Sequence, residues 1–252
     1  MSDRGWALVT GAARRIGRAL ALSAAEAGFD VIVHTHSAGP EAAETAEQVR
    51  SLGRRARIET FDLTETGALA GAFAPPANNP GGAVTLLVNC ASLFEDDRID
   101  TLTPDRLDRH FAVNLRAPVL LAQAFAAALP ASRDGLIVNI TDQRVMRLTP
   151  RFFSYTLSKA ALWTATWTLA QALAPRIRVN AIAPGPTLAS VHQAPGEFDA
   201  EAAAVPLGHG PVLDEIGAAL RYLIDAPSVT GQMIAVDGGQ HLAWRTPDVI
   251  GD

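Results

Sequence analysis

The sequence predicts an α/β fold in which residues 1–252 form one domain: a single doubly wound parallel sheet with helices on both faces. Three observations predict it. Short apolar runs alternate with helical patterns along the chain, the runs read as strands buried between layers, and no internal repeat divides the 252 residues. Regular strand–helix alternation with buried strands implies parallel pairing and right-handed crossovers.

Trp6 to Thr10 is the first β-type run. Gly11-Ala12-Ala13-Arg14-Arg15-Ile16-Gly17 follows, then a helical pattern through Ala27 that Gly28 stops. Glycines at a strand-to-helix turn let backbone N–H groups approach a phosphate at the positive end of the helix, although such turns also close plain connections. Val31 to His34 is the second strand, 41–52 the next helix, and Ala56 to Phe61 the third strand, ending in Asp62-Leu63-Thr64. A weaker helix at 65–73 runs into a loop from Pro75 to Gly82. Val84 to Asn89 is the fourth strand, and a long helix at about 104–129 carries Asn114 among apolar neighbours. Leu136 to Ile140 is the fifth strand, and an Ala-, Leu- and Trp-rich helix follows Phe152. Ile177 to Ile182 is the sixth, ending in Pro184-Gly185-Pro186-Thr187. Residues 188–211 have no clear period and contain Pro195, Pro206 and Pro211, which suggests a long lid-like loop over a substrate. A helix near 213–224, a strand near 232–236 and a tail from Asp237 complete the chain.

Apolar residues make up 48% and charged residues 19%, enough for a sizeable core and too little charge for disorder. A formal charge of −5 argues against a nucleic-acid partner. The local exception, Arg50, Arg54, Arg55 and Arg57, is expected to decorate a helix C-terminus, where cations suit the dipole. The single cysteine, Cys90, excludes an intramolecular disulfide, and Met-Ser-Asp-Arg-Gly-Trp lacks the apolar core of a signal peptide. A reducing cytoplasm is the expected location. No run of about 18 or more apolar residues is present, so no membrane span is expected.

The stretch from Asp142 to Lys159 carries the chemistry. Asp142 would sit at a strand's carboxyl end, where open α/β sheets bind ligands. Tyr155 and Lys159 are four apart and share a helical face. A free tyrosine, with pKa about 10, holds its proton too tightly for relay chemistry. An ammonium within roughly 4–6 Å favours the phenolate and makes Tyr155 a usable acid or base. Tyr-x-x-x-Lys alone is common by chance, so the pair gains weight only from its surroundings.

Taken together, Thr10-Gly11 with Gly17, Asn89, Asn114, the Tyr155–Lys159 pair and Pro184-Gly185, in this order across the whole chain, resemble the short-chain dehydrogenase/reductase family. The resemblance implies a single Rossmann-like domain binding a nicotinamide cofactor. It makes Tyr155 the acid, places Lys159 on the ribose and puts Asn114 in a proton relay. The cofactor would be held by Gly11, Arg14, Arg15, Ile16 and Gly17, by Asn89 and Ala91, and by Pro184 and Gly185, with Asp62 and Leu63 near the adenine. The family usually has glycine where Arg15 stands, asparagine and glycine where Cys90 and Ser92 stand, and serine where Asp142 stands. Arg15 and Asp142, with Ser92 and Phe94, look like the pteridine reductase and dihydromonapterin reductase branch. There the matching arginine and serine line the site, the aromatic stacks on the pterin, the aspartate assists protonation, and a hydroxyl residue matching Thr187 contacts the cofactor.

A physical argument points the same way. The group beside the tyrosine in a carbonyl reductase should donate a hydrogen bond to the developing alkoxide, and an ionised Asp142 would repel it. A ring C=N bond needs protonation at nitrogen, which a carboxyl held partly protonated by burial could supply. The readings that compete are a turn-capping role for Asp142, an ordinary apolar wall for Phe94 and a backbone-satisfied amide for Asn114.

The second strand ends His34-Thr35-His36-Ser37 without the carboxylate that binds the ribose hydroxyls of NAD. With Arg14 and Arg15 nearby, NADPH is the expected cofactor, and these residues are expected to contact it. His34 and His36 alone lack the third ligand of a metal site, and no metal is expected. His192 and His209 lie in the lid and either touch substrate or are exposed. Trp163 and Trp167 belong to core or to a subunit interface, and the family's oligomers suggest a tail through Trp244 and Arg245 reaching a neighbour's site. The expectation is a cytoplasmic NADPH-dependent reductase of a dihydropterin and a homo-oligomer, tetramer favoured over dimer. The competitors are a carbonyl reductase of the same fold acting on a 3-oxoacyl or other ketone, and a catalytically silent NADP(H)-sensing protein.

Overall fold

The protein is described by a computed structural model covering residues 4–73, 82–190 and 193–244. Its seven described strands are β1 (Trp6–Val9), β2 (Asp30–Thr35), β3 (Ala56–Thr60), β4 (Val84–Asn89), β5 (Gly135–Ile140), β6 (Ile177–Pro184) and β7 (Met233–Val236). They form one parallel sheet in the order β3-β2-β1-β4-β5-β6-β7. The order reverses between β1 and β4, and in such sheets that reversal opens a ligand crevice at the strands' carboxyl ends. Every residue of β1, β2 and β5 is buried, as expected of strands covered on both faces.

On one face lie α1 (Arg15–Glu26), α2 (Pro40–Ser51) and α8 (Leu213–Asp225), with Leu20, Ala24, Ala46, Val49, Leu220 and Leu223 packed under Val9, Val31 and Val138. On the other lie α3 (Thr66–Gly71), α5 (Ala117–Ala128) and α6 (Phe153–Leu173), with Leu69, Leu121, Phe125 and Ala170 packed on Leu8, Leu87 and Ile137. The parallel sheet and its two covered faces are as the sequence predicts.

Three expectations change. The helix expected over 104–129 is α4 (Pro104–Phe111) and α5 joined by a π-turn at Ala112–Arg116. Pro118 has no N–H to bond the carbonyl of Asn114 in the α pattern, and wide turns of this kind concentrate at functional sites. Helical backbone from Pro104 to Ala128 is long and apolar enough to cross a membrane by length and composition, but Leu121, Ala122 and Phe125 are core residues here. The lid region contains α7 (Glu197–Ala203), which has no buried residue and so no apolar period to read. Of the four arginines, only Arg50 lies on α2. Arg54 and Arg55 pair with buried Asp30 at 3.3 and 2.6 Å and so fasten the start of β3 to the start of β2, while Arg57 pairs with Glu59 at 3.3 Å along β3 itself. Residues 75–81 of the expected loop, His192 and the tail beyond Trp244 lie outside the described residues.

Candidate active site

β5 ends at Ile140, and two residues later Asp142 caps a short 3-10 turn, Gln143–Val145, by accepting the Arg144 backbone N–H at 2.8 Å. The capping role and the chemical role thus fall on one residue. The Tyr155 hydroxyl donates to Asp142 Oδ2 at 2.8 Å, and the Arg144 guanidinium lies 3.3 Å from the same oxygen. Asp142 accepts from every side. Arg144, two residues on and not singled out in the sequence, sets a positive charge beside this carboxyl.

Tyr155 is buried, and burial first, then the Asp142 charge and hydrogen bond, push its phenol well above the usual value of 10. Lys159, one turn on, is also buried, and burial pulls its ammonium down to about 8. Its Nζ donates to the Ile140 carbonyl at 2.7 Å and stands 5.7 Å from the Tyr155 ring centre. Burial pushes the neighbouring Cys90 thiol up to about 12, which leaves it an uncharged wall. The π-turn delivers Asn114 fully buried behind this pair. Its Nδ2 donates to Ser158 Oγ at 3.0 Å and to Leu93 O at 2.9 Å, and its Oδ1 accepts Leu93 N–H at 2.8 Å and Ser92 Oγ at 3.2 Å. Ser158 Oγ donates to the Tyr155 carbonyl at 2.7 Å. The Asn114 side chain therefore braces α6 and the loop after β4.

Phe94 forms the aromatic wall. Its ring stacks on Phe152 at 4.4 Å and meets Tyr155 edge-on at 4.7 Å. Phe152 has left-handed backbone, φ 54, at the entrance to α6. Asp96 accepts the Phe152 N–H at 3.3 Å and pairs with Arg151 at 2.6 Å, while buried Asp97 accepts the Ser154 N–H at 3.0 Å and its hydroxyl. The sequence reading missed both aspartates and Phe152. The adjacent acids Asp96-Asp97 were the available signal, although the helix they meet, α6, begins more than 50 residues later.

At the other end of the crevice Gly11 has φ +66, and a Cβ there would come within 2.9 Å of Ala91 Cα. A Cβ on Gly17 would lie 2.1 Å from the Gly11 carbonyl oxygen. Thr10 Oγ1 accepts the N–H groups of Cys90 and Ala91 at 2.9 and 3.0 Å, which joins this turn to the loop after β4. Arg14, the exposed N-cap of α1, makes no side-chain cap, and the first turn, including Ile16, carries no acid. The positive N-terminal end of α1, without a side-chain cap and with glycines at 11 and 17, fits a dinucleotide phosphate.

Two residues expected at the cofactor also tie the fold together. His34 is buried with Nδ1 accepting the Gly11 N–H at 3.2 Å and Nε2 at 3.0 Å from Phe61 O, so neither nitrogen is free, and burial lowers it to about 4. The Asn89 side chain donates to Asn139 Oδ1 at 2.8 Å, and Asn139 donates to Thr166 at 2.9 Å, locking β4, β5 and α6 together. His36 and Ser37 are exposed at the end of β2, with Asp62 Oδ1 3.9 Å from the His36 ring. The Thr64 N–H holds the Asp62 carboxyl below its usual range, while Leu63 turns into the core.

Arg15 also has positive φ, 53, and its guanidinium donates to Ala189 O at 2.9 Å and Leu188 O at 3.2 Å, bridging the turn to the loop after β6. Gly185 lets β6 pass Asp237, where a Cβ would meet Asp237 Cα at 2.6 Å, and Thr187 Oγ1 donates to Gly185 O at 3.1 Å. Pro184 ends β6 in register with Val236. Ser92 is exposed on the rim, and His209 is exposed with its ring near Gly210 O. Trp163 and Trp167 touch each other at 4.8 Å, Trp167 being exposed. Among the described residues no cluster of three or more metal-ligating side chains occurs.

A family model described as enoyl-(acyl carrier protein) reductase matches residues 11–241. The chain is 33% identical to 3-oxoacyl-(acyl-carrier-protein) reductase from Aggregatibacter actinomycetemcomitans, over 92% of this chain and 97% of that protein. Among solved structures, FolM alternative dihydrofolate reductase 1 from Brucella suis in complex with NADP is 51% identical, with TM-score 0.92, over 99% of this chain and 100% of that one. Its counterpart from Brucella canis, also complexed with NADP, is 50% identical with TM-score 0.89 over 97% of each chain. The Tyr155–Lys159 pair on α6, the glycine turn and these matches agree: the chain belongs to the short-chain dehydrogenase/reductase family.

Proposed function

We propose that the protein is an NADPH-dependent reductase that adds hydride to the C=N bond of a dihydropterin-type ring. One observation carries the reading: the Tyr155 hydroxyl is engaged by a carboxylate, Asp142, at 2.8 Å. A carbonyl reductase needs hydrogen-bond donors around a developing alkoxide, and a carboxylate at that point opposes it. Nitrogen protonation has no such conflict. The likeness to two proteins named alternative dihydrofolate reductase supports the same substrate class.

The cofactor would lie along the Gly11–Gly17 turn and the β4 loop and supply the hydride. The chain's own residues manage the proton. Tyr155 and Asp142 share one proton across their hydrogen bond and act as a coupled pair. When that proton passes to the ring nitrogen, the pair is left with two negative charges. Arg144 on the Asp142 side and Lys159 on the Tyr155 side offset them. Phe94, edge-on to Tyr155, offers a flat face for a planar ring. Arg15 ties the substrate end of the turn to the loop after β6.

NADPH oxidation with 7,8-dihydromonapterin or dihydrobiopterin, wild type against Asp142→Ser, tests the reading. Turnover by wild type that is lost in the variant upholds it. Wild type that ignores pterins and reduces a 3-oxoacyl or other ketone replaces it with the carbonyl reductase reading. NADPH binding without turnover on either panel makes the protein a sensor.

A further inference from the structure

One guanidinium touches three parts of the site. Arg144 is bound to both Asp142 oxygens, at 3.4 and 3.3 Å, and lies 5.6 Å from the Phe94 ring centre and 5.1 Å from that of Phe152. The contacts close on themselves: Tyr155 to Asp142, Asp142 to Arg144, Arg144 to Phe94, and Phe94 edge-on to Tyr155. The ion pair is largely shielded, with side-chain exposures of 19% for Arg144 and 14% for Asp142. In such a place water contributes little to neutralising a charge, and a fixed cation contributes more.

We propose that Arg144 is a positioning residue for proton transfer, holding Asp142 and the Phe94–Phe152 wall in register with the Tyr155 hydroxyl and balancing the charge left when the proton departs. The proposal rests on the proton-donating role of the Tyr155–Asp142 pair and on no particular substrate. Before transfer the four groups Asp142, Tyr155, Arg144 and Lys159 sum to one positive charge; after it they sum to zero. Without Arg144 the same step ends with a net negative charge in a shielded site. A planar guanidinium suits both duties, since it can bond a carboxylate with its edge and lie against rings with its face.

The test compares wild type with Arg144→Lys, Arg144→Met and Arg144→Ala, on whichever substrate wild type turns over. Arg144→Ala should lower kcat about 10- to 100-fold, the loss typical of an orienting partner, while the Kd for NADPH, read by its fluorescence, changes less than about twofold. Arg144→Met keeps the stem but not the charge and should lose nearly as much. Arg144→Lys should recover part of kcat. Guanidinium ion at millimolar concentration should raise kcat of Arg144→Ala several-fold, whereas equal chloride or urea should not. An unchanged kcat in Arg144→Met overturns the proposal. So does a loss of kcat matched by loss of NADPH affinity and of thermal stability, without guanidinium rescue, which would mark Arg144 as a structural brace only. If pterins are not turned over and a ketone is, the substrate reading fails, but the same variants measured on the ketone still decide the role of Arg144.

Discussion

Tyr155 and Asp142 form a hydrogen-bonded pair at the carboxyl edge of the sheet, 2.8 Å apart, with the phenol as donor. The pair straddles two elements, since Asp142 closes the turn after β5 and Tyr155 sits on the first turn of α6. Its geometry therefore reports how well those elements are docked.

Tyr155→Phe removes the shared proton and little else, because the ring keeps its buried place against Phe94. Turnover should fall by about 10²- to 10⁴-fold, with the melting temperature nearly unchanged. Steady-state kinetics beside calorimetry checks this, and retention of most activity would remove Tyr155 from the chemistry.

Lys159 gives a stability signature of definite sign. Burial lowers its folded pKa from 10.5 to about 8, so above about pH 8 the unfolded chain holds a proton that the folded chain does not. Stability then rises with pH. Wild type should gain stability relative to Lys159→Met from about pH 8 to 9, in the window before Cys90 and Tyr155, both raised, act in the opposite sense. Urea denaturation of the two proteins at several pH values measures the difference.

His34 acts in acid. Burial lowers it from 6.5 to about 4, so its contribution is present above pH 6.5 and is lost as pH falls toward 4. Protonation also removes the acceptor for the Gly11 N–H. Melting temperature should fall as pH drops from 6.5 toward about 4, cofactor affinity should fall only as pH nears about 4, and His34→Gln should flatten both dependences. Parallel profiles for the two proteins would refute it.

Gly17→Ala places a methyl against a backbone oxygen that cannot move without the whole turn. A loss of about 1–3 kcal/mol of stability is expected from the overpacking, with NADPH binding weakened more than tenfold. Gly53→Ala provides the contrast in space, since nothing lies within 4 Å of a Cβ there and only its positive φ, +76, resists the change.

Much of this was legible in the sequence because it depends on short range. Strand ends, the glycine turn and the one-turn spacing of Tyr155 and Lys159 follow from local periodicity. What escaped depends on partners distant in the chain. His34 looks like a rim residue until Phe61 and Gly11 take both its nitrogens. The arginines after α2 look like helix-end decoration until Asp30, some 25 positions earlier, is placed under Arg55. Arg144 lies two residues from Asp142, yet its importance appears only when Phe94 and Phe152 are brought beneath it. The π-turn at Asn114 was concealed because Pro118 sits inside a run that is otherwise a good helix.

Among the described residues, Arg15 and Phe152 are the two non-glycine positions with positive φ. Each stands at the entrance of a helix that borders the crevice, and each costs about 1–3 kcal/mol in backbone energy. A screen of random variants for heat resistance alone should therefore enrich glycine or asparagine at 15 and 152. Those survivors should be slower catalysts, the first with its tie to the loop after β6 loosened and the second with a displaced aromatic wall, so selection for robustness and selection for speed will pull this enzyme in opposite directions at two known codons.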